Sequence, residues 1–336
     1  MKNILLFLFI SLFVFQASAQ KKYTVSGYVK DKSNGESSIG ATVYIKELLK
    51  GTTTNTYGFY SITIEEGEYT LVISYIGFKK IEQKINLNKN IRLNYEIETD
   101  IITTEEFTIT GEREDKNTNE AVMSTIELDV EKVKALPAIF GEVDILKTIQ
   151  LLPGVQSAGE GNSGFYVRGG GPDQNLILLD GATIYNASHL AGFFSVFNAD
   201  AIKEVKLIKG GMPAEYGGRL SSVLDITMKD GNFKKYEVEG GLGIISSRVT
   251  IQGPIKKDTA SFIASYRRFY LGDIVQPFIS DSSKFKGTNY YFYDFNAKLN
   301  WIVSEKDRLY LSGYIGRDVF EFKNTADGFG MDTPWG

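Results

Sequence analysis

The sequence has no cysteine, one histidine (His189), two tryptophans and seven prolines among its 336 residues. Without cysteine there is no disulfide scaffold, no thiolate metal site, no cysteine nucleophile and no lipid-modified N-terminal cysteine. One histidine cannot build a multi-histidine metal centre, and a serine–histidine–aspartate relay has no choice of partner. The net charge of −4 gives no reason to expect nucleic acid or an anionic membrane surface as partner. Beyond the N-terminus no apolar run could cross a membrane as a helix. Glycine and aromatic residues are abundant instead: 34 Gly, 19 Tyr and 22 Phe, a composition suited to strands and tight turns.

The first residues read as an export signal. Lys2 supplies a positive start, Ile4 to Phe15 is apolar except for Ser11, and Ala17-Ser18-Ala19 is a small-residue cleavage site. The apolar run is too short to span a hydrocarbon core of about 30 Å as a helix. Cleavage is expected after Ala19. An exported, aromatic-rich chain can still enter a membrane as strands.

From residue 20 to about 98, short β-prone runs alternate with turn residues. Tyr23–Val29, Ala41–Ile45, Phe59–Ile64 and Tyr69–Tyr75 are separated by segments such as Asp31–Gly35 and Glu65-Glu66-Gly67. Seven or so short strands predict a β-sandwich that folds by itself. Residues 99–135 are charged and poor in large apolar residues, as in Glu112–Lys116, which is linker composition. Inside that linker lies a β-prone patch: Glu105, Glu106, Phe107, Thr108, Ile109 and Thr110. It reads either as an edge strand of the sandwich or as an extended peptide that adds a strand to a partner's sheet.

Residues 136–232 predict short elements with glycine turns throughout. Val143, Leu146, Ile149 and Leu152 form a helical stripe ended by Pro153-Gly154. Strands are expected at Gly164–Arg168, Asn175–Leu179 and Val205–Lys209, with a helix near Ala199–Lys203. So thin a unit is expected to pack inside something larger. Arg168–Pro172 is not a phosphate loop: it lacks the lysine and hydroxyl of that pattern, and Pro172 would interrupt the helix that should follow.

From residue 233 onward the pattern is strict alternation. Tyr236, Val238, Leu242 and Ile244 oppose Glu237 and Glu239. Phe262, Ala264 and Tyr266 oppose Ser261 and Ser265. Tyr291, Tyr293, Phe295, Ala297, Leu299, Trp301 and Val303 oppose Asp294, Asn296, Lys298 and Asn300. About five strands are expected, several of membrane-spanning length, joined by the tight turn Ser304–Asp307 and the long connection Leu271–Asn289.

Two resemblances follow from these motifs. The run from Ser26-Gly-Tyr-Val to Tyr75-Ile-Gly-Phe78 resembles the carboxypeptidase-regulatory-like domain, a transthyretin-like sandwich. It contains no histidine, so no zinc-peptidase chemistry is implied. The ordered set Leu152–Val155, Val167–Gly169, Leu179–Gly181, Ile202–Val205 with Lys209-Gly210, and Tyr216–Gly218 into Val223–Ile226 resembles the plug of TonB-dependent receptors. The 105–110 patch then sits where that family keeps its TonB box. The resemblance implies a mostly β protein: signal 1–19, transthyretin-like β-sandwich 20–98, linker 99–135, α+β plug 136–232, and at 233–336 the first strands of a transmembrane β-barrel. It also implies a receptor of the cell outer membrane, its N-terminal domain on the periplasmic side. Its partners would be a TonB-type energy-transducing protein, a large scarce nutrient and outer-membrane lipid. No catalytic residue, metal or cofactor is expected. Such plug loops point toward the ligand in this family, which offers Gln174, Tyr185, Asn186 and His189 as ligand contacts. Five strands cannot close a barrel, so the chain is expected to be a portion of a longer receptor. The competing reading, an exported β-modular adhesin, accounts for the signal and sandwich but not for the plug motifs.

Overall fold

The computed structural model describes residues 21–100, 124–134, 143–159, 161–280, 283, 286–304, 307–322 and 329–335. The export signal and the 105–110 patch lie outside the described residues. The chain divides into two compact units, one holding the sandwich strands and one holding residues 34–36 and the described residues from 124 onward.

Among the described residues the first unit contains eight strands: β1 (Lys22–Asp31), β2 (Thr42–Ile45), β3 (Lys50–Thr53), β4 (Phe59–Glu65), β5 (Gly67–Ser74), β6 (Ile81–Leu87), β7 (Ile91–Arg92) and β8 (Tyr95–Ile97). They form two four-stranded sheets, β4-β1-β7 with β8 also on β1, and β3-β2-β5-β6. Period-two alternation sends Tyr60, Ile62 and Ile64 inward from β4, where they meet Val25, Val43, Ile45, Leu71, Ile73 and Leu87. The buried Tyr60 hydroxyl donates to the Leu93 carbonyl at 2.9 Å. A Cβ at Gly27 would lie 1.7 Å from that same carbonyl oxygen, so β1 needs glycine there.

The second unit begins with β9 (Thr125–Asp129) and helix α1 (Val130–Lys134), followed by α2 (Ile145–Ile149). Asp144 caps α2 by accepting from the Lys147 amide at 3.1 Å. The expected stripe is realised: Leu146 and Ile149 are buried, with Val143 and Leu152 packed against the same core. Next come β10 (Val155–Ser157), β11 (Phe165–Val167), β12 (Asn175–Leu179), β13 (Ala182–Thr183), β14 (Ser188–His189), β15 (Phe194–Ser195), β16 (Ile202–Ile208) and β17 (Ser222–Met228). A five-stranded sheet in the order β13-β12-β17-β16-β9 organises the plug, with β12 and β17 parallel. Asp180 and Gly181, with φ of 48° and 82°, make the two-residue turn between β12 and β13.

Two expectations change here. Residues 125–134 belong to the plug rather than the linker, because β9 pairs with β16 along its whole length and Val130 and Val133 enter the core. The helix expected near Ala199–Lys203 is only a 3₁₀ turn at Ala199–Ala201, and strand β16 starts at Ile202. Ladder pairing with β17 outweighs the local preference.

The unit ends in an antiparallel wall of six strands, one more than expected: β18 (Glu237–Leu242), β19 (Ser246–Lys256), β20 (Ala260–Phe269), β21 (Asn289–Ile302), β22 (Arg308–Phe322) and β23 (Phe329–Trp335). Short turns at 257–259 and 303–307 share one end, and the long connection 270–288, carrying α3 (Leu271–Val275), lies at the other. The wall is inside out compared with a water-soluble sheet. On β21, Asp294, Asn296, Lys298 and Asn300 are buried, whereas Phe295, Leu299 and Trp301 are exposed. Val238, Leu242, Ile251, Leu309, Leu311 and Ile315 continue that exposed apolar face over the neighbouring strands. Among the described residues no helix is long and apolar enough to cross a membrane.

Candidate functional site: the seat of the plug on the wall

What buries the polar face of the wall is the plug, and register fixes where each wall residue meets it. Along the β20–β21 ladder the inward pairs are Phe269–Phe292, Arg267–Asp294, Ser265–Asn296, Ile263–Lys298 and Ser261–Asn300. Counted from the long-connection end, these make one aromatic layer followed by four predominantly polar ones.

In the aromatic layer Phe269 and Phe292 stack at 5.1 Å, and plug residue Phe194 packs on both. The layer below is ionic. Arg267 donates to Asp294 Oδ2 through Nε at 2.9 Å and Nη2 at 2.5 Å, and its Nη2 also reaches the Ser195 carbonyl at 2.6 Å. His189 enters from the plug between two wall carboxylates. Its Nε2 lies 2.7 Å from Asp294 and its Nδ1 2.9 Å from Asp318, while the ring stacks on Phe292 at 4.1 Å. Tyr290 donates to Asp318 and Tyr314 to Asp294. Burial works against a charge on the His189 ring, but its hydrogen bonds to Asp294 and Asp318 outweigh it and hold the pKa above the ordinary 6.5.

Hydroxyl and ionic contacts continue the seam. Asn198 donates to Ser265, which also hydrogen-bonds Thr250. Arg248 of β19 bonds plug residue Asp200 at 2.6 Å, and Lys134 of α1 lies 3.4 Å from the same carboxylate. Near the short-turn end Lys298, 4% exposed, reaches Asp180 at 3.2 Å, the Met228 carbonyl at 3.0 Å and Asp230 at 3.2 Å. Ser261 donates to the Asp230 carbonyl. Within the main plug core the only fully buried wall side chain among the described residues is Ile263. The seat is therefore largely polar, and a polar seat can exchange its contacts for water at modest net cost, which a sealed apolar core cannot.

The expected ligand residues are dispersed. Gln174 is half-buried at the end of a 3₁₀ turn, its carbonyl accepting from Leu220 and Ser221. Tyr185 is 87% exposed and Asn186 is half-buried beside it. No hydrogen bond or ring contact among the described residues joins Gln174 to Tyr185. His189 corrects its expectation: it is fully buried in the seat rather than displayed on a loop. The seat residues of the wall were visible in the sequence as a polar alternate face, but their partners in the plug were not.

A small mixed sheet held by charges against the inner face of an inside-out antiparallel wall defines a plugged β-wall of the membrane-receptor kind. Residues 25–123 match the CarboxypepD_reg-like domain and residues 126–222 the TonB-dependent receptor plug domain, together more than half of the chain. The chain is 27% identical over 241 residues to the TonB-dependent receptor SusC of Bacteroides thetaiotaomicron, covering 69% of this chain and 23% of that protein. It is 26% identical over 281 residues to the TonB-dependent receptor P3 of Formosa agariphila, covering 81% and 26%. Among solved structures, the siderophore receptor PirA from Acinetobacter baumannii is 20% identical, with a TM-score of 0.44 over 60% of this chain and 32% of that one. The chain spans about a quarter of the length of the curated relatives it matches. With its regulatory-like sandwich and its plug in that order, the chain belongs to the TonB-dependent receptors.

Proposed function

We propose that this chain is part of an outer-membrane receptor that admits a scarce, large nutrient, such as an iron chelate, an oligosaccharide, a peptide or cobalamin, through a plugged lumen. The single observation that carries this reading is the polar seat: a plug held by side-chain ion pairs and hydroxyl contacts can be moved and can reseat. The exposed apolar face of the wall suits lipid, and the short turns at 257–259 and 303–307 suit the periplasmic end. No bond chemistry is required. The work comes from a TonB-type partner pulling on the segment that precedes β9, and residues 105–110 pair with that partner as an added strand.

Main-chain pairing tolerates most side chains but not proline, which lacks the N–H donor. In the complete receptor, Phe107→Pro and Ile109→Pro will abolish both nutrient uptake and capture of the periplasmic domain of a TonB-type protein. Alanine at the same positions will do less harm, and receptor abundance will not change. Full capture by both proline variants would remove the assignment of this segment.

Gln174, Tyr185 and Asn186 remain the plug residues proposed to contact the nutrient, and Tyr185 is the most exposed of them. Tyr185→Ala in the complete receptor should weaken nutrient binding by about 1–3 kcal/mol at unchanged abundance, measured by equilibrium binding to whole cells. Unchanged affinity would assign these loops to lining the wall.

A further inference from the structure

We propose that His189 is a proton-operated latch: with both ring nitrogens protonated it ties the plug hairpin β14–β15 to β21 and β22 together, and with one proton lost it can hold only one of them. The geometry fits a ring that donates from both nitrogens. Nε2 faces Asp294 at 2.7 Å and Nδ1 faces Asp318 at 2.9 Å. Ionised carboxylates only accept hydrogen bonds, so both nitrogens must donate, and only the imidazolium carries two N–H groups. A neutral ring would aim a lone pair at one carboxylate in a fully buried site, where repulsion is screened least.

The surroundings are arranged for the charged form. From the wall, Asp294 and Asp318 face two cations, Arg267 and the imidazolium, and the hydroxyls of Tyr290 and Tyr314 donate to the same carboxylates. From the plug, Asp144 accepts from the Ser195 amide on the far side of the hairpin, and Lys147 lies over the rings of Phe193 and Phe194 at 4.5 and 5.5 Å. The raised pKa of His189 gives the sign. The latch contributes fully below the ordinary value of 6.5 and is lost as pH rises through the higher value of the folded state. Mildly acidic surroundings therefore hold the plug hairpin down, and alkaline ones loosen it.

The hairpin's hydrogen exchange tests this in the complete receptor in lipid vesicles, without nutrient and without the energising partner. Protection of the amides of residues 188–196, corrected for the intrinsic base-catalysed rate, is followed from about pH 6 to about pH 9. Protection should fall at least about tenfold in a step that lies above pH 6.5, the ordinary histidine value. His189→Gln, which keeps one donor and one acceptor but cannot titrate, should show low protection without the step. Glu204, on another plug strand, also titrates in this window, its carboxyl pushed up to about 7 by burial and by Glu127, so only residues 188–196 are read. A flat wild-type profile would overturn the latch even if the variant fails to fold, and so would a step that persists in His189→Gln. Because neither nutrient nor partner is in the assay, a flat profile leaves the uptake reading standing.

Discussion

Replacing Asp294 by alanine should loosen the plug more than any other single change in the wall. This carboxylate is 0% exposed and receives hydrogen bonds from two Arg267 nitrogens, His189 and the Tyr314 hydroxyl. Its removal leaves a guanidinium buried without that counter-charge and an imidazolium with one acceptor instead of two. Breaking a buried pair by deleting one partner costs about 3–5 kcal/mol, mostly from the charge left behind. The measurement is the urea midpoint for plug release in the complete receptor, read by protease cleavage within residues 185–196. Asp294→Asn, which keeps the shape but not the charge, should fall between wild type and alanine. A midpoint unchanged in Asp294→Ala would show that the ionic layer does not hold the hairpin.

The second large effect is expected from Lys298→Met at the other end of the seam. Methionine keeps the length of the stem and loses the ammonium that reaches Asp180, Asp230 and the Met228 carbonyl. Asp230 retains Lys203 at 3.8 Å, so the cost should lie toward the lower part of the same range of about 3–5 kcal/mol. Adding Asp180→Asn to Lys298→Met should recover part of the loss, because the uncompensated carboxylate is then gone. A double-mutant cycle on the same urea midpoint reads this directly, and strict additivity would mean that Lys298 and Asp180 do not act as a pair.

Much of the fold is legible from local pattern. The alternation from Tyr291 to Val303 separates exposed Phe295, Leu299 and Trp301 from buried Asp294, Asn296, Lys298 and Asn300 without reference to any other part of the chain. The stripe around α2 and the turns of the sandwich are equally local. Strand β9 is harder to read. Among the described residues it is an edge strand paired only with β16, and Thr125, Glu127 and Asp129 give it the look of the charged linker before it. The 3₁₀ turn at Ala199–Ala201 shows the opposite case, a helical tendency overridden by a ladder to residues more than twenty positions away.

The seat itself divides along the same line. By itself the sequence determined which residues each strand sends to each face, because side chains alternate with a period of two whatever the partner. It also determined the order of sandwich, linker, plug and wall: turn residues, composition and alternation mark the sandwich, linker and wall, and the resemblance of its ordered motifs marks the plug. Only the tertiary structure decided that His189 is buried and shared between two carboxylates, which lie 105 and 129 residues further along the chain. A lone histidine in a polar loop sequence carries no local sign of such partners. Docking the plug sheet against the wall brings them within hydrogen-bonding distance, and burial there makes the two ring protons matter.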